Sequence, residues 1–352
     1  MKRAALIKAG GNPVLSGRIK MKMKVLSSVA ALVIGLTGSA ALAETVLRVG
    51  SVAPTQSPWG AWITKVAEQV ETVSGGELKL QLLLDGQIGD EVTMTRQAQK
   101  GRLDMIYVTN DPLSVVMPEL EIMSAPFFFD STEQGTCVQH NHLAGILEPL
   151  MAENNLVPVT WMEVGHTNIF SSRPVRMPED MGGLKIRVAN GIIKRDFMSA
   201  LGTTPSPLSV ADMIPALQTG TIDAVNIPTV YGIAVGIPKL APHVTVTQHY
   251  RLVGSLAISQ RVWDKLSDEE QGWLMSVAPM GAELSEMILG AEKALLGQIA
   301  EAGVDVHYPT EEELAAWRAS ADGVLDASLA EIGGQSEDIR AKLEEAKAAC
   351  GS

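Results

Sequence analysis

The stretch that decides the fold runs from Met177 to Pro228 and reads MPEDMGGLKIRVANGIIKRDFMSALGTTPSPLSVADMIPALQTGTIDAVNIP. Its centre is Lys185-Ile186-Arg187-Val188. A helical turn at Pro178-Glu179-Asp180 is stopped by Gly182-Gly183, and a short strand then delivers Arg187 to its carboxyl end. Asn190 and Gly191 follow, and the pattern predicts a helix from Ile192 to Leu201 with Asn190 as N-cap. Arg187 then sits beside free backbone N–H groups at the positive end of a helix, a pairing that favours a carboxylate or another anion. In an open α/β sheet, ligands bind at the carboxyl ends of the strands.

Upstream, Val46 to Val52 reads as a strand, and Ser57-Pro58 opens a helix carrying Ile63, Val66, Ala67 and Val70 on one face. Gly75-Gly76 stops it; Leu78 to Leu84 is a second strand, Asp90 to Lys100 a helix and Met105 to Thr109 a third strand. This alternation implies a parallel sheet with right-handed crossovers. Ser131 or Thr132 caps a helical region running toward Glu153, Val157 to Glu163 is a strand, and Asn168 to Ser172 begins the passage into a second domain. Beyond the central stretch, Val244 to Thr247 and Leu252 to Ser259 are strand-like. The helix after Ser267 carries a stripe at Leu274, Val277, Gly281, Leu284, Ile288, Ala291 and Leu295, with a kink expected at Pro279. Val304 to Tyr308 is a late strand, followed by helices around Glu311 to Leu329 and Ser336 to Ala349.

A chain of 352 residues suggests two domains at roughly 150 residues each. Residues 1–43 read as a cleavable signal peptide: Arg18, Lys20, Lys22 and Lys24 precede an apolar, small-residue run from Val25 that ends Ala41-Leu42-Ala43, so cleavage is expected after Ala43. A membrane anchor is the competing reading of that run. These residues carry seven Lys or Arg and no acid, so their removal takes the net charge from −12 to −19. A surface that acidic argues against nucleic acid as a partner, while leaving room for a local positive site. The two cysteines, Cys137 and Cys350, are compatible with a disulfide in an oxidising compartment and equally with two unpaired thiols.

Enzyme and cofactor signatures are absent: there is no G-x-G, P-loop, G-x-S-x-G or H-E-x-x-H. His140-x-His142 lacks the carboxylate or cysteine company of a metal site, and C-x-x-C does not occur. The chain therefore reads as a non-enzyme without metal or cofactor. His166, at the expected domain crossing, is either a ligand contact or a structural histidine; Arg187 on its own is either an anion anchor or half of a structural ion pair.

The central stretch resembles the substrate-binding proteins of tripartite ATP-independent periplasmic (TRAP) transporters. Ala125-Pro126-Phe127-Phe128, Gly89-Asp90-Glu91, Lys100 to Met105 (KGRLDM) and Trp263 to Gln271 (WDKLSDEEQ) match further family segments in order and spacing, so the similarity covers the chain after Val46. The resemblance implies an α/β, two-domain periplasmic binding protein fold with discontinuous domains, a hinge and a long connecting helix. Domain I would comprise 44–164 and 252–290, and domain II 165–251 and 291–352. It also implies that Arg187 makes a paired salt bridge to a substrate carboxylate in the cleft.

Other family positions differ. The Gly-x-Arg pattern becomes Gly165-His166-Thr167, the asparagine of the Asp-Gly-Gln-Glu-Asn-Pro segment becomes Ile227 with Asn226 at the acidic position before it, and the Glu-x-Tyr pair becomes Asp212 and Ile214. The expected pocket is thus less polar than usual and suits a sugar acid or a two-arginine dicarboxylate less well. Arg187, Thr167, His166, Asn226, Ile227, Asp212, Tyr107, Asn110 and Trp59 are the candidate ligand contacts, with core packing the alternative for the aromatics. The implied function is delivery of a small carboxylate ligand to the small and large membrane subunits of a TRAP transporter, by a monomer in the periplasm. A ligand sensor presenting its closed form to a membrane receptor is the alternative, ahead of an enzyme using Asp212, His166 and Arg187.

Overall fold

The structure is a computed structural model that describes residues 44–351; the predicted signal peptide, 1–43, lies outside them. Its strands are β1 (Thr45–Gly50), β2 (Leu78–Leu83), β3 (Met105–Thr109), β4 (Leu156–Ser171), β5 (Lys185–Val188), β6 (Thr204–Pro207), β7 (Ala224–Pro228), β8 (His243–Ser259) and β9 (Asp305–His307). They form one mixed sheet in the order β2-β1-β3-β8-β4-β7-β5-β6, with β9 beside β8. β1 lies parallel to β2 and β3, as the alternation of strands and helices there predicts, and β5 lies parallel to β6 and β7. β8 runs antiparallel to both β3 and β4 and joins the two parallel groups.

That join is where sequence reading and structure differ most. The two pieces expected at 157–163 and 168–172 are one 16-residue strand, β4, and the two expected at 244–247 and 252–259 are one 17-residue strand, β8. Register shifts between Glu163 and Gly165 and between Thr167 and Ile169 absorb the residues that looked like breaks. In β8 the break falls at Gln248, whose φ is +48°; its N–H leaves the ladder and donates to Asn168 Oδ1 at 2.7 Å. A side-chain acceptor thus replaces the missing backbone partner, and the strand continues.

Each group of strands has apolar residues on both faces. In the first lobe, Trp62, Ile63, Val66 and Val70 of the helix Pro58–Val73 pack with Leu78 and Ile288, while Met94, Ile106 and Leu147 fill the other face. The second lobe is built around Ile186, Phe197 and Trp317 on one side and Phe170, Val225 and Val244 on the other. Burial of each such side chain contributes about 1.5–3 kcal/mol. Ser57 caps the helix Pro58–Val73 by accepting from Gly60 N at 3.2 Å, with Pro58 at the first helical position.

Pro279 does more than kink. The expected long helix is two, Asp268–Met275 and Met280–Glu301, with Pro279 at the N-cap of the second, where its missing N–H leaves no helical bond unmade. The second helix crosses β4 so closely that any side chain at Gly281 would meet the Trp161 carbonyl. Likewise, a Cβ at Gly254 would lie 2.7 Å from Val108 O, across the β3–β8 pairing.

The last helix, Ser336–Cys350, packs on the helices Thr132–Asn141 and Leu143–Glu153, so this part of 291–352 lies on the first lobe and not on the second as expected. Ile339, Leu343 and Ala346 enter the first lobe's core, and Cys350 is bonded to Cys137. Among the described residues, no helix is long and apolar enough to cross a membrane.

Candidate functional site: the cleft at Arg187

Arg187 occupies the third position of β5, in register with Ser206 of β6 and Val225 of β7 and flanked by the buried Ile186 and Val188. Its side chain is also enclosed, 6% exposed, so the guanidinium is held rather than waving in solvent. Nε donates to Leu208 O at 2.9 Å and Nη1 to Asn226 O at 3.2 Å. Two of a guanidinium's five N–H groups are therefore committed to main-chain oxygens, which fix its plane. No carboxylate among the described residues lies within 4.0 Å of it. Burial pulls its pKa down, while the charges of Asp111 and Glu91 pull it up. An arginine remains protonated under that balance.

The helix after β5 is capped differently from expectation. Asn190 is exposed, and the residue before Ile192–Ala200 in the N-cap position is Gly191, at φ +152°. The free N–H groups there are taken up within the protein: Ile193 N donates to Glu121 Oε2 at 2.8 Å. Burial raises the Glu121 carboxyl to about 7 against the pull of those backbone donors and of Lys194. Lys194 is itself paired with Asp111. The helix end thus serves a buried carboxyl from the first lobe, and of the two halves of the anticipated anion site only Arg187 is left uncommitted.

A cavity of about 50 Å³ opens at the carboxyl ends of β1 and β3, and residues of both lobes line it. Ser51, Val52 and Ala53 follow β1, Tyr107, Val108 and Thr109 belong to β3, and Met162 and Val164 come from β4. Trp59 enters from the helix Pro58–Val73, and Tyr231, from the helix Thr229–Ala234 after β7, faces it with ring centroids 6.1 Å apart. The Trp59 indole is fixed by donating to Glu163 O at 3.3 Å. Tyr107 packs on Trp62 at 5.3 Å, and its buried hydroxyl has no partner among the described residues. Glu91, first residue of the helix Glu91–Gln99, accepts from Thr109 N at 2.9 Å. Burial raises its carboxyl to about 7, the Thr109 N–H and the Arg187 charge lower it, and Asp111 raises it. Arg187 thus acts electrostatically on two wall residues, Glu91 and Tyr231.

The other candidates are distributed around this cavity or away from it. Asn110 is buried and donates to Leu120 O and Ser124 Oγ, at 3.2 and 2.9 Å. Thr167 is buried in β4 between Pro228 and Tyr250. Asn226 gives its carbonyl to Arg187 and its side chain to His249 Nε2 at 3.0 Å. Ile227 points into the second lobe's core with Phe170 and Val244. Asp212 is exposed and accepts from Ser209 Oγ at 2.6 Å near a helix start. Sequence reading passed over Tyr231, Met162, Val164 and the Glu91 side chain as wall residues. Glu91 sat inside a quoted segment, while the other three carry no signal beyond being apolar or aromatic.

His166 belongs to a polar network at the lobe crossing. Its Nδ1 meets Glu292 Oε2 at 2.9 Å and its Nε2 meets Thr132 Oγ1 at 3.2 Å. Glu292, buried in the helix Met280–Glu301, also accepts from Thr229 Oγ1 at 2.8 Å and Asn168 Nδ2 at 3.3 Å. Burial disfavours the imidazolium, but the Glu292 bond and charge outweigh it and raise the His166 pKa. Beside it Arg251 pairs with Glu163, both buried. A second cavity, of about 100 Å³, lies against His166, Arg251, Phe127 and Arg318. Cys137, His142 and Cys350 cluster within 4.8 Å, yet both sulfurs are consumed in the disulfide, so the group is not a thiolate metal site.

Two lobes joined by a pair of long strands, with residues of both lining one cavity, define a two-domain solute-binding protein; Arg187 lies behind that lining and acts by its charge on two wall residues, Glu91 and Tyr231. Comparison with known proteins agrees. The sequence model of the bacterial extracellular solute-binding proteins, family 7, matches residues 49–331, and the chain belongs to that family. A solute-binding protein of Roseobacter denitrificans is 28% identical over 330 residues, covering 93% of this chain and 98% of that protein. The crystal structure of the sugar acid binding protein DctPAm of Advenella mimigardefordensis with galactonate superposes with a TM-score of 0.81 at 22% identity, covering 86% of this chain and 99% of that one. A TRAP periplasmic solute-binding protein of Roseobacter denitrificans with bound β-D-glucuronate gives 0.80 at 24% identity, covering 86% and 99%.

Proposed function

We propose that this solute-binding protein captures a small organic acid by its carboxylate on Arg187 and hands it to the membrane subunits of a TRAP transporter. The observation that carries the reading is the guanidinium itself: 6% exposed, held at Nε and Nη1 by two main-chain oxygens, and with no carboxylate beside it among the described residues. A buried charge without a counter-ion costs several kcal/mol unless a partner arrives, and the three uncommitted N–H groups match a carboxylate's two oxygens. Trp59 and Tyr107 from one lobe and Tyr231 from the other then close around the body of the ligand. Closure bends β4 and β8 where their ladder is already irregular, near Gly165 and Gln248. Removal of residues 1–43 in the periplasm leaves the working chain starting at Glu44.

Arg187→Lys tests the anchor by calorimetry on the organic acid that copurifies with the protein. Lysine keeps the charge and loses the two parallel donors, so binding should weaken by about 1.5–3 kcal/mol. An unchanged affinity in a folded variant contradicts the reading.

A further inference from the structure

The wall of the cleft says more about the ligand than the anchor does, and the inference below rests on the carboxylate reading above. Val52, Ala53, Val108, Met162 and Val164 give the cavity an almost wholly carbon surface. Its polar groups are largely committed: Ser51 Oγ donates to Tyr107 O at 2.6 Å, Trp59 Nε1 to Glu163 O at 3.3 Å and Thr109 N to Glu91 at 2.9 Å. Tyr231 brings a phenol to the wall, while the Tyr107 hydroxyl is buried behind it without a partner among the described residues. A polyhydroxylated acid would bury several hydroxyls against carbon without partners, each at a desolvation cost. The free space is small, about 50 Å³, and favours a compact body.

Charge adds a second constraint. Glu91 shares the cavity wall with Tyr231 of the second lobe and Thr109 of the first, whose N–H it accepts, and the charges of Arg187 and Asp111 act on it from the two lobes. Asp111 is neutralised by Lys194, so Arg187 is the cation available to both Glu91 and an incoming carboxylate. Two carboxylates sharing one guanidinium in a carbon-walled cleft cannot both stay ionised without a large penalty, and one proton is retained. The ligand holds the direct contact with Arg187, so the proton falls to Glu91, whose carboxyl burial already raises to about 7.

We propose that the cleft selects a monocarboxylate with a compact apolar body over a polyhydroxylated acid, and binds it together with a proton carried by Glu91. Cyclohexanecarboxylate and D-glucuronate form a suitable pair, since both set a carboxylate on a six-membered ring and differ in the hydroxyls. Calorimetry on the whole protein should give cyclohexanecarboxylate at least tenfold tighter binding. Its affinity should weaken about fivefold from pH 7 to pH 8 in the wild type, following deprotonation of Glu91 in the free protein. Glu91→Gln keeps an acceptor for Thr109 N, removes the charge, and should abolish that slope and bind about tenfold tighter than wild type at pH 8.

Tighter binding of D-glucuronate, no binding of cyclohexanecarboxylate at millimolar concentration, or equal pH slopes in wild type and Glu91→Gln overturns the inference. Cyclohexanecarboxamide and Arg187→Lys separate the two levels. If the amide binds as well as the acid and Arg187→Lys binds normally, the anchor itself is wrong. If carboxylate and Arg187 are both required but the preference or the slope is missing, only this inference fails.

Discussion

Removing the disulfide by Cys137→Ser with Cys350→Ser separates stability from binding in this fold. The bond spans a sequence separation of 213 residues and ties the helix Thr132–Asn141 to the last helix. In the chain-entropy account, closing a loop of that length restricts the unfolded chain by about 5 kcal/mol. The figure is an upper value, because Ile339, Leu343 and Ala346 already bury the last helix in the first lobe and hold the chain end near Cys137. Both bonded helices lie on that lobe, so the crosslink does not span the bending points in β4 and β8. Urea unfolding should therefore show a loss of about 2–5 kcal/mol, while calorimetry shows ligand affinity within twofold of wild type. A variant with unchanged stability refutes the stapling argument. One with wild-type stability per lobe but altered affinity refutes the placement of the bond away from the hinge.

Four other outcomes follow from the same geometry. Glu292→Ala strips the buried partner from His166, Thr229 and Asn168 and should cost about 3–5 kcal/mol in thermal or chemical unfolding; a loss below 1 kcal/mol would mean the crossing network carries no weight. The Glu91 and Glu121 carboxyls titrate at about 7 in the folded chain, above their unfolded range, so the ligand-free fold binds more protons than the unfolded chain. Stability should fall as pH rises from about 4.5 through 7, and melting curves of Glu91→Gln and Glu121→Gln should be flatter across that window. Raised above its ordinary value by Glu292, His166 contributes stability below pH 6.5 that is lost at higher pH, a slope that His166→Gln should remove. Finally, Gly281→Ala sets a methyl into the Trp161 carbonyl and should destabilise by about 1–3 kcal/mol; tolerance would show that the helix can ride away from β4.

The local elements were legible in the sequence because their signals are local. Ser57-Pro58 opens its helix, Ser267 caps the helix just before the one that crosses β4, and KIRV delivers Arg187 as a strand. The misreadings came where a long-range partner overrides a local signal. Gln248 looks like a strand end until Asn168 supplies the acceptor for its N–H, and Asn190 looks like a cap until Glu121, some seventy positions earlier, takes the helix end. Pro279 ends one helix and begins another because the chain must turn before crossing β4. That Arg187 ends a strand was readable locally, but the cavity wall was not: Met162, Val164 and Tyr231 are ordinary apolar or aromatic residues until the topology brings β4 and the segment after β7 to one cavity.

Native mass spectrometry of the freshly purified protein, wild type beside Arg187→Ala, tests the central claim most directly. The account predicts that the wild type retains a small acid, released on unfolding and identified by its mass and by its carboxylate, and that the folded Arg187→Ala protein carries none. A neutral molecule in the wild type, or the same acid retained by Arg187→Ala, would contradict it.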